Sequence, residues 1–179
     1  NGEVTGNGIL GGITAVQGAT AGNNVCHYIQ CVNNGDITAT ATQAVSSSAM
    51  AGIAAFYSPG SVFEYCINTG FVTNTKSVYT AGIAANNKGN ATADYPVVFK
   101  GCVNTGNIAS SAQQIAGIVA YITNYTSVDS CLNYGTIEQG IWGAAGICYT
   151  MAGTTSSLTN CINYGDVSVT QYNAGGIVG

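Results

Sequence analysis

The sequence predicts an all-β fold: a β-solenoid of about five coils, each with 29–40 residues and three short strands. Three observations predict it. A cysteine-centred motif recurs along the chain, a glycine-centred motif alternates with it, and the intervening segments are short, rich in β-branched residues and bounded by Gly or Asn. No segment has a helical period long enough to indicate an amphipathic helix.

The first motif has the form C-φ-N-x-G-x-φ, in which φ is aliphatic or aromatic. Its cysteines follow one another at intervals of 35, 36, 29 and 30 residues. The five copies are Cys31–Ile37, Cys66–Val72, Cys102–Ile108, Cys131–Ile137 and Cys161–Val167. A disulfide framework has no reason to repeat the sequence around each cysteine, whereas a stacked array does, so the motif indicates stacking.

The second motif, Ala-Gly-Ile or Gly-Gly-Ile, alternates with the first. Its copies are Gly11–Ile13, Ala51–Ile53, Ala81–Ile83, Ala116–Ile118, Ala145–Ile147 and Gly175–Ile177. In each coil we expect the first strand to end at Cys-φ and the second to start at the following Ile or Val. The third carries Ala-Gly-Ile, where glycine lets neighbouring chains approach. Asn-x-Gly makes the corner, because Asn and Gly tolerate left-handed backbone angles.

Stacked coils place equivalent residues about 4.8 Å apart, so each repeated position should form a column. We expect a buried cysteine ladder of Cys31, Cys66, Cys102, Cys131 and Cys161. We expect an amide ladder, hydrogen-bonded along the stack, of Asn33, Asn68, Asn104, Asn133 and Asn163. Interior aliphatic columns should contain Ile13, Ile53, Ile83, Ile118, Ile147 and Ile177, and also Ile37, Val72, Ile108, Ile137 and Val167.

The two motifs together resemble the GLUG-motif repeats of bacterial surface and secreted proteins. The resemblance covers nearly the whole chain and is clearest in Ala174–Gly179, although most copies here read Ala-Gly-Ile where that family prefers Gly-Gly-Ile-Val-Gly. It implies a right-handed parallel β-helix in a large extracellular, often adhesin-like protein. The motif is structural and brings no catalytic residues with it.

Composition excludes several classes of function. The chain has three lysines, no arginine and seven acidic residues among 179. Nucleic-acid binding needs clustered cations to neutralise phosphates, and docking on anionic lipid needs them too. No apolar run approaches the roughly 20 residues of a membrane helix. We therefore expect no nucleic-acid partner and no membrane insertion.

The remaining cysteines and the single histidine give weak signals for chemistry. Thiols in one straight column cannot surround a metal ion tetrahedrally, so we expect buried free cysteines and no metal or cofactor. Cys26 is close enough to Cys31 for a local disulfide, which stays open, and Cys148 occupies a small-residue position of the repeat. His27 has no evident orienting acid nearby, so a catalytic triad is not expected.

Paired carboxylates are the serious enzymatic alternative, because polysaccharide-degrading enzymes also use parallel β-helices. Glycoside hydrolysis needs two carboxyl groups about 5–9.5 Å apart. Asp36 and Asp166 share a repeat position but are about four coils apart, and Asp129 and Glu138 can lie on different faces of one coil. We therefore expect no enzyme.

Two surface features suggest binding. Tyr134 and Tyr164 occupy the Asn-x-Gly corner of successive coils, and an exposed pair could stack on sugar rings or on a partner protein. The run Thr38–Thr42 is typical of ice-binding solenoids, but the equivalent segments of later coils do not continue it.

We interpret residues 1–179 as one solenoid array, an excerpt of a longer repeat protein or a subunit of a fibre. No polar cap is visible at either end of the repeat, so further coils or end-to-end copies are the expected partners. The expected function is a structural or adhesive element of a secreted or cell-surface protein. The alternative is a polysaccharide-binding or polysaccharide-degrading β-helix, with ice binding behind it.

Overall fold

A computed structural model describes residues 2–17, 25–40, 48–74, 78–111 and 113–179, without the side chains of residues 139 and 140. Within them the chain winds through coils that begin at Val4, Ile37, Val72, Ile108, Ile137 and Val167. The first coil contains β1 (Val4–Gly6), β2 (Leu10–Gly11), β3 (Thr14–Val16), β4 (His27–Ile29) and β5 (Val32–Asn33). The second contains β6 (Ile37–Ala39), β7 (Ala49–Ala51), β8 (Ala54–Tyr57), β9 (Val62–Glu64) and β10 (Ile67–Asn68).

The later coils repeat this order. The third contains β11 (Val72–Asn74), β12 (Tyr79–Ala81), β13 (Ala84–Asn87), β14 (Val97–Lys100) and β15 (Val103–Asn104). The fourth contains β16 (Ile108–Ser110), β17 (Gln114–Ala116), β18 (Val119–Ile122), β19 (Thr126–Asp129) and β20 (Leu132–Asn133). The fifth contains β21 (Ile137–Gly140), β22 (Gly143–Ala145), β23 (Cys148–Met151), β24 (Ser157–Thr159) and β25 (Ile162–Asn163), and the last rung adds β26 (Val167–Val169) and β27 (Asn173–Gly175).

The strands stack into five parallel sheets, one for each position in the coil. Sheet A runs β1-β6-β11-β16-β21-β26 and sheet B runs β2-β7-β12-β17-β22-β27. Sheets C, D and E start at β3, β4 and β5 and end at β23, β24 and β25. Each strand pairs with its equivalent one coil away, which confirms the predicted right-handed parallel β-helix.

Two bends in each coil divide the expected strands further. The first expected strand bends just before its cysteine and becomes a sheet D strand and a sheet E strand, as at Tyr65–Cys66. The Ala-Gly-Ile strand bends at its Gly-Ile, as at Gly52–Ile53, and contributes to sheets B and C. The three expected strands of a coil are therefore present as five short segments.

The left-handed residues do not lie where the sequence predicted them. Positive φ angles of 52–61° occur at the residue before each of the five motif cysteines. These residues are Gln30, Tyr65, Gly101, Ser130 and Asn160. The Asn-x-Gly corner turns without a positive φ among its described glycines. Its glycine is needed for space, because a Cβ at Gly70 would overlap the carbonyl of Gly35 one rung away.

The buried apolar residues form three clusters, the smallest of which packs Phe56 among alanines of sheets B and C. A polar waist separates the other two. The larger lies among sheets C, D and E and contains a stack of Tyr28, Phe63 and Phe99, with ring centroids 4.5 and 4.7 Å apart. The smaller lies between sheets A and B around Ile37, Met50 and equivalent residues. The two repeat motifs meet at the waist, since a Cβ at Gly52 would overlap the Asn68 amide.

The predicted aliphatic columns are buried except at the end rungs. Ile53, Ile83, Ile118 and Ile147 are fully buried, and Ile177 packs against the core while partly exposed. The expectation that Ile13 is interior is wrong, since its side chain is 49% exposed. Ile13 lies on the first rung, and only the second rung, through Ile53, covers it.

Candidate interaction surfaces

The five motif cysteines lie one above another along the inner wall, where each thiol fills a small apolar position. Cys66, Cys102 and Cys131 are fully buried, while Cys31 and Cys161 on the end rungs are partly exposed. The Sγ of Cys66 donates to the carbonyl of Tyr28, 3.1 Å away on the preceding rung, and Cys102 and Cys161 make the equivalent contacts with Phe63 and Val128 at 3.5 Å.

The buried thiols are held in their protonated form. A hydrogen bond with Cys131, together with burial, raises the pKa of Cys102 to about 12. Burial alone raises the pKa of Cys148, which packs in the larger cluster, to about 12. All seven cysteines, including Cys26 and Cys31, are free thiols, and no group of three metal-ligating side chains occurs among the described residues. The four buried cysteines, Cys66, Cys102, Cys131 and Cys148, thus act as small apolar side chains, because a protonated thiol is a poor nucleophile and a poor ligand. The half-buried Cys161 differs, since a hydrogen bond with Cys131 lowers its pKa.

The predicted asparagine ladder is confirmed and is continuous over five rungs. The Nδ2 groups of Asn33, Asn68, Asn104 and Asn133 donate to the Oδ1 of the next asparagine at 2.7–2.8 Å. Each also donates to the carbonyl of the glycine two residues later, as Asn104 does to Gly106 at 2.8 Å. The ladder satisfies polar groups that would otherwise be stranded between the two larger apolar clusters, so its role is structural.

An outward surface of apolar character runs along sheet E, and we name it the corner face. In C-φ-N the cysteine and asparagine point inward, so the φ residue between them points outward and forms a column one rung apart. The column contains Val32, Ile67, Val103, Leu132 and Ile162. Its end members Val32 and Ile162 are 45% and 44% exposed, and Tyr65 and Phe71 beside it are also exposed.

The predicted tyrosine pair stands on the same corner face, two residues beyond this column. The rings of Tyr134 and Tyr164 are stacked, with centroids 4.8 Å apart and planes inclined by 11°. They are 49% and 60% exposed, and the same position holds exposed Asn34, Thr69 and Thr105 in the earlier coils. The stacked rings cover each other's inner faces and present their edges and hydroxyl groups to solvent, where they can contact a partner.

The other sequence candidates are not gathered into one site. His27 is exposed on sheet D beside Val62, and Asp36 accepts a hydrogen bond from the amide of Phe71 at 2.9 Å. Hydrogen bonds from Thr159, Asn160 and Ser130 lower the pKa of Asp129. These carboxylates bind neighbouring side chains and backbone rather than each other.

The threonine run does not produce a regular array. Thr38 lies in register with Thr5 and Thr73, but the next two rungs carry Ala109 and Glu138 at that position. Thr40 donates to the carbonyl of Gly6, and Thr42 lies outside the described residues.

A cleft on the last two rungs was not anticipated from the sequence. It has a volume of about 270 Å³ and is lined by Trp142, Tyr149, Tyr172 and Asn173. The sequence signal that could have found it is the interruption of repeat columns by aromatic residues.

The comparisons with known proteins return no match: no family model, no curated protein and no solved structure is significantly similar to the chain. Among the described residues, no helix has the length and apolar character required to cross a lipid bilayer.

Proposed function

We propose that the chain is a rigid structural and adhesive element of a secreted or cell-surface protein. The observation that supports this proposal best is the corner face, where an outward aliphatic column, half-buried in its middle and exposed at its ends, lies beside an exposed tyrosine pair on a hydrogen-bonded scaffold. Exposed apolar patches of this kind are typical of surfaces that contact a partner. With three lysines and seven acidic residues in the whole chain, little charge opposes such contacts.

We further propose that the columns continue into neighbouring rungs, supplied by more coils of the same chain or by a second copy. The asparagine ladder favours stacking, because each interior amide both donates to one neighbouring asparagine and accepts from another, and the amides of Asn33 and Asn163 can extend the same pattern. Among the described residues, the strands of the first and last rungs pair with a neighbour on one side only, so their other edge can accept a further parallel strand. Ile13, exposed on the first rung, would be covered by such a rung.

The test is analytical ultracentrifugation of the purified chain over a wide concentration range, followed by electron microscopy of the same samples. We expect association into rods that lengthen along the solenoid axis. Ile13→Lys should abolish this association, because stacking would bury the ammonium group without a partner. The matched control is Val32→Lys, which is similarly exposed but lies on the corner face.

Each outcome separates a different part of the proposal. Association that Val32→Lys prevents and Ile13→Lys does not would contradict end-to-end stacking and assign assembly to the corner face. A chain that stays monomeric throughout would contradict self-assembly and leave only the version with further coils.

Polysaccharide binding is the second candidate function, and the Tyr134–Tyr164 stack favours it. The stacked pair holds two exposed ring edges and two hydroxyl groups side by side, which can contact and hydrogen-bond one sugar chain. Loss of retention on polysaccharide columns in the Tyr134→Ser, Tyr164→Ser double variant, with an unchanged circular dichroism spectrum, would support this role. Equal retention of the variant would argue against it.

A further inference from the structure

The cleft on the last two rungs is built from departures from the repeat. Register places Tyr172 directly after Trp142 in one column, since Gly143 pairs with Asn173 and the amide of Asn173 donates to the Trp142 carbonyl at 3.2 Å. The earlier rungs carry Ser48, Val78 and Gln113 at this position. Two large aromatic residues therefore replace small or polar ones in adjacent rungs only.

Tyr149 is a second departure, on the neighbouring sheet C. Its equivalents on the preceding rungs are Ala15, Ala55, Ala85 and Ala120, of which the last three are fully buried. The Tyr149 hydroxyl donates to the Trp142 carbonyl at 3.3 Å, which fixes the ring across the cleft.

The third departure makes room for that ring. Gly143 is the fifth-coil residue in the column that contains Ala49, Tyr79 and Gln114 in the earlier coils. A Cβ at Gly143 would overlap the Tyr149 ring. Alanine fills the sheet C position in all four earlier coils, so the bulky Tyr149, accommodated by Gly143 beside the Trp142–Tyr172 pair, indicates a local site rather than a scaffold requirement.

We propose that this cleft binds one ring of a neutral polysaccharide. The C–H groups on one face of a pyranose are apolar and weakly positive, so they pack on the negative faces of aromatic rings. The exposed Asn173 amide supplies a donor and an acceptor for sugar hydroxyls. The volume of about 270 Å³ is slightly below the roughly 300 Å³ at which pockets for drug-sized ligands begin, which fits a single sugar ring with the rest of its chain in solvent.

The charge and openness of the cleft favour a neutral sugar over a quaternary ammonium ion, the other ligand of aromatic sites. The described lining contains no carboxylate and no cationic side chain. Trp142 and Tyr172 are 52% and 65% exposed, so a bound cation would keep much of its water and gain little from the rings. The proposal gives the polysaccharide-binding alternative above a second, separate site, and it does not depend on assembly.

Trp142 is the only tryptophan in the chain, so its fluorescence reports on this cleft alone. The experiment titrates the intact protein with cellohexaose, xylohexaose and chitohexaose, and with tetramethylammonium as the cationic probe. We expect at least one oligosaccharide to give a saturable blue shift or intensity change and tetramethylammonium to give none. A flat signal with all three sugars, or a saturable response to tetramethylammonium alone, would overturn the proposal.

Two variants localise the effect while keeping the reporter. Tyr172→Ala removes one platform ring, and Gly143→Ala displaces the Tyr149 ring into the cleft. Each should weaken binding at least tenfold. The control Tyr164→Ala removes an equally exposed ring on the corner face and should leave the Trp142 titration unchanged, so failure of the corner face as a glycan site stays distinguishable from failure of the cleft. Equal affinity in all variants would place the sugar elsewhere and refute the assignment.

Discussion

Replacing one interior asparagine of the ladder tests the scaffold most directly. Asn104 is fully buried, accepts a hydrogen bond from Asn68, and donates to Asn133 and Gly106, all at 2.8 Å. Asn104→Ala leaves one N–H and two carbonyl oxygens without these partners. Each stranded buried group costs about 1–3 kcal/mol, so the free energy of unfolding should fall by at least about 3 kcal/mol.

Urea unfolding followed by circular dichroism measures this loss. With a slope of about 2 kcal/mol per molar urea, a loss of about 3 kcal/mol lowers the midpoint by about 1.5 M. The loss of about 3 kcal/mol is a large fraction of the roughly 5–15 kcal/mol by which an ordinary domain is stable against unfolding.

Two other asparagines serve as controls in the same experiment. Asn34→Ala removes an exposed amide on the corner face that accepts one hydrogen bond from Thr69, and it should cost no more than about 0.5 kcal/mol. Asn163→Ala, on the partly exposed last rung of the ladder, should fall between the two because water can reach the groups it leaves. If Asn104→Ala and Asn34→Ala were within about 1 kcal/mol of each other, a stabilising amide ladder would be refuted.

The remaining predictions concern the bend before each cysteine and the thiols. Gly101→Ala should destabilise by about 1–2 kcal/mol, because its φ is +61° and a Cβ there would lie 2.7 Å from the Tyr65 ring. Ser130→Gly, at the equivalent position with φ of +54°, should be neutral or stabilise by up to about 1 kcal/mol in the same assay; a loss larger than that would contradict the strain assigned to this position. Ellman's reagent should react with three thiols of the native protein at pH 8 and with seven in denaturant. A fourth rapidly reacting thiol would contradict the burial of Cys66, Cys102, Cys131 and Cys148.

The columns could be predicted from the sequence because stacking forces each inward position to satisfy the same neighbours in every coil. Asn68 and Asn104 have equivalent neighbours in their coils: the carbonyl of the glycine two residues later, the glycine of an Ala-Gly-Ile motif, and another asparagine. Replacing one of them would leave polar groups of the next coil without partners. The sequence carries this constraint as plain recurrence. Recurrence alone was therefore enough to predict which residues lie above one another.

The positions of the bends could not be predicted because the residues that make them differ between coils. The left-handed position holds Gln30, Tyr65, Gly101, Ser130 and Asn160, only one of which is the residue usually preferred there. The recurring glycine of Asn-x-Gly was the more visible signal for a left-handed turn. Its recurrence has a steric cause, the carbonyl of the rung below, so it indicated the wrong backbone angle.

The outward direction of the φ residues could have been inferred from strand alternation. In C-φ-N both flanking residues were expected inside, and successive side chains on a strand point to opposite faces. Val103 and Leu132 must then face outward, despite their apolar character. These residues pack against each other along the column but add nothing to the inner clusters, which is why we propose the corner face as a contact surface.

The cleft, unlike the corner face, is formed by residues that do not recur from coil to coil. An inward residue such as Ile118 must match the rungs above and below it, whereas an outward residue contacts them less and can vary from coil to coil. Trp142 uses this freedom, whereas Tyr149 stands in a column of buried alanines and depends on Gly143 for room within the same coil. The Tyr149 ring fits only because the neighbouring residue Gly143 has no side chain, and stacking of the rungs alone does not require either change. Under our proposals, a sugar bound by such exceptions would be confined to one place on the solenoid, whereas a partner bound through the corner face would be held by many contacts along it.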